Sequence, residues 1–173
     1  MPEPIKMNEP IYGVVLTDRQ QVGITEWKPQ DDLFACARNA IHCDMIEIME
    51  PEILVKRNLV LLIDEESKLK NSELFVNCIA SYLYKTQEHG DAIVGNAVIV
   101  KRNEESLEML TGLEALSLAK EMTQQRGHAV ETISKALQIP PMPAPKRESS
   151  LFSDMRKKAS PNRQPCMQER MER

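Results

Sequence analysis

The run GDAIVGNAVIV, Gly90 to Val100, is apolar and rich in β-branched residues, and it reads as a strand with Gly95 and Asn96 at its middle. A glycine inside a strand marks a bulge, a sharp bend or a close approach of another backbone, and Asn tolerates the same strained geometry. No phosphate-cradling glycine spacing surrounds Gly95, so Gly95 and Asn96 are read as structural.

Upstream of this run, IYGVVLT (11–17) and VGITEW (22–27) are two β-rich segments joined by the polar DRQQ, which predicts a hairpin. In QDDLFACARNAI the residues Leu33, Phe34, Ala37, Ala40 and Ile41 recur at helical spacing, with Asp31 and Asp32 at the N-terminus. MIEIM (45–49) alternates Ile46 and Ile48 against Glu47 and predicts a strand with one face toward solvent. NLVLLI (58–63) is continuous and predicts a strand buried on both faces. Pro51 marks a loop between them, and DEESKLKN is a solvated connection. A helix follows within Ser72 to Tyr84, with Leu74, Phe75, Cys78 and Tyr82 on one face; alternatively Asn77 caps a shorter helix beginning at Cys78.

Downstream, Thr111 and Glu114 have the spacing of a capping box. The helix after them, through Gln124, carries Leu113, Leu116, Ala119 and Met122 inward. Gly127 punctuates it, and a second helical segment of about 128–138 shows Val130, Ile133 and Leu137 on one side. From Ile139 the text changes: IPPMPAPKRESS has four prolines in twelve residues, and the remainder is polar and basic. Such a segment does not bury enough surface to offset its ordering entropy, which predicts disorder. The organisation is an N-terminal arm (1–7), an α+β domain (8–125), a C-terminal helix (126–139) and a disordered, Pro-rich basic tail (140–173). The fold class is α+β: a small sheet of about five strands with helices on one face.

Composition narrows the function. The longest apolar run, LVLLI (59–63), is far short of the ~20 residues a membrane crossing needs, and MPEPIKMNEP lacks the continuous apolar block of a secretory signal. A cytoplasmic location is the expectation. Cys36, Cys43, Cys78 and Cys166 form no CxxC pair, which suits reduced, buried thiols better than ligands. The net charge of −4 is unevenly spread: residues 140–173 hold eight Lys or Arg against four acids, leaving 14 bases against 22 acids in 1–139. A basic tail on an acidic body reads equally as an interaction arm or as a solubilising, variable terminus.

The serial order MIEIMEP, LVLLIDEESKLKN, Asn77 with IASYLY, GDAIVGNAVIV and LTGLEAL resembles the uncharacterised family domain of unknown function 3846, over about residues 9–125. In that family the DAIVGNAVIV block recurs, as does a DEEGKLK-like turn, matched here with Ser67 in the glycine's place. The family's glycine pair before MIE is replaced here by HCD, although His and Cys tolerate positive φ less well than glycine. The resemblance implies a small α+β domain of bacterial, phage or mobile-element origin. It implies no activity and no functional residues.

Two short clusters could contribute to a metal or acid/base site if the fold brought them together: His42, Cys43 and Asp44, and His89, Gly90 and Asp91. Neither has HExxH or CxxC spacing, and no cofactor motif occurs, so no cofactor is expected. Asp64, Glu65 and Glu66 read as a solvated turn rather than a cation loop. In the tail, Lys146, Arg147, Arg156, Lys157, Lys158 and Arg163 are candidate partner contacts. Phe152 alone is available for base stacking there, which argues against sequence-specific nucleic-acid reading. The leading expectation is a non-enzymatic accessory protein that binds protein or nucleic acid, one version being an acidic anti-restriction or anti-defence mimic of DNA. The alternative is a small-molecule or metal-dependent enzyme with a loop-borne site at His42, Asp44, His89 and Asp91. A third reading uses the 128–138 helix for self-association.

Overall fold

A computed structural model describes residues 9–69 and 75–139. Strands β1 (Ile11–Leu16) and β2 (Val22–Trp27) form the expected antiparallel hairpin, with Ile11 opposite Trp27 and Leu16 opposite Val22. Helix α1 (Leu33–Ile41) follows. Asp32 is its N-cap, accepting the Ala35 N–H at 3.0 Å, while Asp31 instead accepts the Lys28 N–H. Ala37 and Ile41 are the buried face of α1, and Phe34, expected inward, is 37% exposed.

Strand β3 (Ile46–Met49) leads to a single helical turn, α2 (Glu52–Val55), where a loop was expected. Pro51 is the residue before that turn, its fixed φ suiting a helix start, and four residues are too few to show a periodicity. Strand β4 (Leu59–Asp64) is buried along its whole length, as its unbroken apolar run required. After a 3₁₀ turn at Ser67–Leu69, helix α3 spans Cys78–Leu83 with Asn77 as its cap, which is the shorter of the two helices the sequence allowed. A further turn, α4 (Thr86–His89), ends at Gly90 in the left-handed region. Strand β5 (Ala97–Asn103), a short β6 (Ser106–Glu108) and the long helix α5 (Gly112–Leu137) complete the described chain.

The fold is α+β, built on a six-stranded antiparallel sheet. Its order is β2-β1-β5-β4-β3, with β6 paired to the far end of β5. Alternation along each strand divides the core into two layers. Leu59, Leu61 and Ile63 of β4 and Ala97 and Ile99 of β5 face α2, α3 and α5; Val60, Leu62, Val98 and Val100 face α1. The helical layer expected on one face is present, and α1 covers part of the other. The core is aliphatic apart from Trp27 and the partly buried tyrosines packed against it.

Helix α5 departs from the sequence reading in two ways. The capping box forms, with the Thr111 hydroxyl accepting the Glu114 N–H at 3.2 Å and the Glu114 carboxylate accepting the Thr111 N–H at 2.9 Å. The inward stripe, however, is Ala115, Leu118, Ala119, Met122, Ala129 and Ile133, and Leu113 and Leu116 point to solvent, 82% and 59% exposed. Small alanines on that stripe let the helix approach closely, whereas the three-residue spacing of Leu113, Leu116, Ala119 and Met122 had pointed to a face that includes the two leucines. Gly127 does not break the helix: it is exposed, and an interior glycine costs only ~1 kcal/mol against alanine.

Gly95 and Asn96 lie before β5 rather than inside a strand. Gly95 has φ +88, so it is the bend that a strand-like glycine signals, and Asn96 is outside the left-handed region. The bend exists because three distant segments meet there. The Asn77 side-chain amide donates to the carbonyls of Leu16 (2.8 Å) and Gly95 (2.9 Å), and its oxygen caps α3 through the Ala80 N–H. Gln20, buried and itself at φ 63, donates to Val76 O at 2.8 Å and accepts the Cys78 N–H at 2.9 Å. Asn96 accepts the Asp18 N–H at 3.0 Å. The hairpin turn, the start of α3 and the lead-in to β5 are thereby locked together, with the polar groups of Asn77 and Gln20 satisfied.

Candidate functional site

The two His-Asp clusters occupy different connections. His42 ends α1 in the left-handed region (φ 66, ψ 54), its N–H donating to Arg38 O at 2.8 Å. The backbone thus keeps the geometry a glycine would supply although the glycine is absent. The His42 and Asp44 side chains are both exposed. His89 closes α4: its Nε2 lies 2.9 Å from Tyr84 O, its Nδ1 accepts the Asp91 N–H at 3.0 Å, and its ring stands edge-on to Tyr84 at 4.7 Å. Asp91 pairs with Lys68. Both ring nitrogens of His89 are engaged in holding this turn. Among the described residues no group of three or more His, Cys, Asp or Glu is placed to hold a metal ion.

The remaining candidates are local. Asp64 is 4% exposed and accepts the Glu66 N–H at 2.9 Å, a turn-forming role. Burial pushes the Cys78 thiol up to about 11, with Ser134 beside it opposing the shift, and burial followed by Asp31 and Asp32 raises Cys36. Neither thiol is activated as a nucleophile. Lys146, Arg147, Arg156, Lys157, Lys158 and Arg163 lie outside the described residues, as does Cys166.

The arrangement that sequence reading did not reach is the free margin of β3. Among the described residues this strand pairs with β4 alone, which makes it an edge of the described sheet. Met45 O accepts the Glu65 N–H at 3.0 Å, continuing the β3–β4 register of Ile46 opposite Asp64 and Glu47 opposite Ile63. In an antiparallel ladder hydrogen-bonded pairs alternate with non-bonded ones, so Met45, Glu47 and Met49 turn their backbone groups toward β4, and Ile46 and Ile48 turn theirs outward. Met45 and Ile48 are 49% and 39% exposed.

Acids gather at the same margin. Asp44, Glu47, Glu65 and Glu66 are exposed and, among the described residues, carry no ion pair, whereas Glu50 pairs with Arg102 and Glu52 with Lys56 and Lys85. The Lys pairing holds the Glu52 carboxyl below its usual range. A four-residue strand with Glu47 at its middle and Pro51 two residues beyond its end has the features that keep an edge from indiscriminate pairing. Those features were the available signal that β3 is an edge.

The chain matches the model of the family described as Domain of unknown function (DUF3846) over residues 11–123, and it belongs to that family. No curated protein and no solved structure matches it. None of the described helices is long and apolar enough to cross a membrane.

Proposed function

We propose that this member of the DUF3846 family is a non-enzymatic accessory protein that works by binding a macromolecular partner in the cytoplasm of a bacterial cell, as a product of the host, a phage or another mobile element. The observation that carries the reading is the acidic margin of β3. Asp44, Glu47, Glu65 and Glu66 have no ion pair among the described residues and stand beside the exposed side chains of Met45 and Ile48. Apolar side chains rimmed by unneutralised charge of one sign are the make-up of a docking surface. The basic tail supplies a second, oppositely charged arm. Other acids of the body, among them Glu114, Glu121 and Glu131, are paired with Lys or Arg, which breaks up the continuous array of free carboxylates that imitation of a DNA backbone would need.

The test is capture from a bacterial lysate by the full chain, with retained protein and nucleic acid identified after low-salt and high-salt washes. A partner retained by the native chain, lost from Glu65→Lys/Glu66→Lys and released by salt is the expected result. Retention of no macromolecule, or of the same set by the charge-reversed chain and by a full-length chain with its tail lysines and arginines changed to Gln, overturns the reading.

A further inference from the structure

We infer that the outer edge of β3 is a strand-addition site, and that its ligand is an extended peptide segment in which apolar residues alternate with Lys or Arg. This rests on the binding reading above and specifies its mode.

The backbone supplies the first argument. Ile46 and Ile48 present two N–H and two C=O groups outward, the pattern to which an added strand bonds. Side-chain alternation supplies the second. Ile46 and Ile48 lie on the α1 face of the sheet, and Glu47 on the other face with Ile63. A strand laid alongside therefore meets isoleucines on one face and, on the other, Glu47 flanked by Met45 and Met49, and the complement is a strand of alternating apolar residues with a base opposite Glu47.

Charge selects among occupants. Of the four acids from Asp44 to Glu52, Glu50 and Glu52 are paired with bases, whereas Asp44 and Glu47 carry no ion pair among the described residues, and the unpaired Glu65 and Glu66 adjoin the Met45 end. A second copy of the chain added through its own β3 would set acids against acids, and like charges directly opposed across strands are destabilising. A basic strand meets the opposite condition.

The decisive experiment measures binding of a short, fluorescently labelled peptide alternating Lys and Ile to the full chain by anisotropy. It is compared with an otherwise identical Glu/Ile peptide and with a Lys/Ile peptide N-methylated on the backbone edge that faces the protein. The Lys/Ile peptide binds, the Glu/Ile peptide does not, and N-methylation weakens binding about tenfold. Ile48→Pro removes an outward N–H that β4 does not use, so it weakens binding about tenfold with an unchanged melting temperature. Glu47→Lys reverses the preference between the two peptides.

Failure of the wild-type chain to bind the Lys/Ile peptide overturns the proposal. So does binding unaffected by both N-methylation and Ile48→Pro. In the latter case, loss of lysate capture on reversing Glu65 and Glu66 would leave the broader binding reading standing without the strand mode. Self-association that Ile48→Pro abolishes would assign the edge to a second copy. Tighter peptide binding after neutralising the tail would assign it to the chain's own tail, and either outcome overturns the external peptide.

Discussion

The indole of Trp27 lies where a side chain on Gly13 would stand: a Cβ on Gly13 would fall 2.5 Å from Trp27 Cη2 and 2.9 Å from Cζ3, with Val98 Cγ1 at 3.1 Å. Gly13 pairs with Thr25 in the hairpin, so the ring of Trp27 reaches across β1 onto the α1 face of the sheet. Glycine is required here by contact rather than by backbone angle. Gly13→Ala is expected to destabilise the fold by about 1–3 kcal/mol through overpacking. In Gly13→Ala/Trp27→Leu the two effects should be less than additive, measured by urea unfolding of the four chains of the cycle.

Asn77 joins three backbones with one side chain, and its substitutions separate the parts it plays. Asn77→Ala leaves Leu16 O and Gly95 O without their buried donor and removes the α3 cap, a loss of about 3 kcal/mol. Asn77→Asp keeps the capping acceptor and still turns a carboxylate toward two carbonyls, so at neutral pH it is expected to be as damaging. Unlike Asn77→Ala, it should recover part of its stability as pH falls and the new carboxyl gains a proton to donate. Urea midpoints at neutral and acid pH distinguish the two; equal pH profiles would remove the donor argument.

Glu114 makes the start of α5 sensitive to acid. Partial burial raises its carboxyl, but bonds from Thr111 and Lys101 outweigh this and hold it below the ordinary value. A carboxyl depressed in the folded state contributes stability that is fully present above its unfolded value, ~4.3, and is lost as pH falls through the folded value. Glu114→Gln is therefore expected to be less stable than the native chain at pH ~7, with the gap closing below pH ~4. A gap independent of pH would show that the amide and the carboxylate serve the cap equally.

The rotation of α5 is testable with three alanines. Leu113→Ala and Leu116→Ala should change stability by no more than about 0.5 kcal/mol, because both side chains are already in solvent. Leu118→Ala, at a position 3% exposed, should cost about 2–5 kcal/mol. Thermal melts of the three variants suffice, and a large loss at Leu113 would place the helix on the wrong face.

What could be read from the sequence was what neighbouring residues determine. The hairpin, the Asp32 cap, the doubly buried β4 and the Thr111–Glu114 box each depend on a few consecutive side chains, and each is present. The single turns α2 and α4 are shorter than the period that would reveal them, and β6 is only three residues long. The GDAIVGNAVIV run was read as starting its strand too early because Ile93 and Val94 are as apolar as β5 itself. Ile93 is indeed buried, but against α3 and the core beneath rather than in the ladder. The free margin of β3 was signalled only indirectly, by Glu47 and Pro51 about a short strand, because being an edge is a property of which strands fail to pair and no hydrophobic spacing encodes it.

The junction around Asn77 also bears on how the chain reaches its native state. Its bonds span 56 residues from Gln20 to Val76, 61 from Leu16 to Asn77 and 78 from Asp18 to Asn96. Closing loops of that length costs entropy before any contact rewards it, so these bonds are favourable only once β1 and β5 already lie side by side. The polar lock is then expected to form late in folding, which φ-values at Asn77 and Gln20 near zero would show. By the same reasoning it is expected to open early in unfolding, releasing the start of α3 while the β4–β5 ladder, which shares none of these bonds, is still closed.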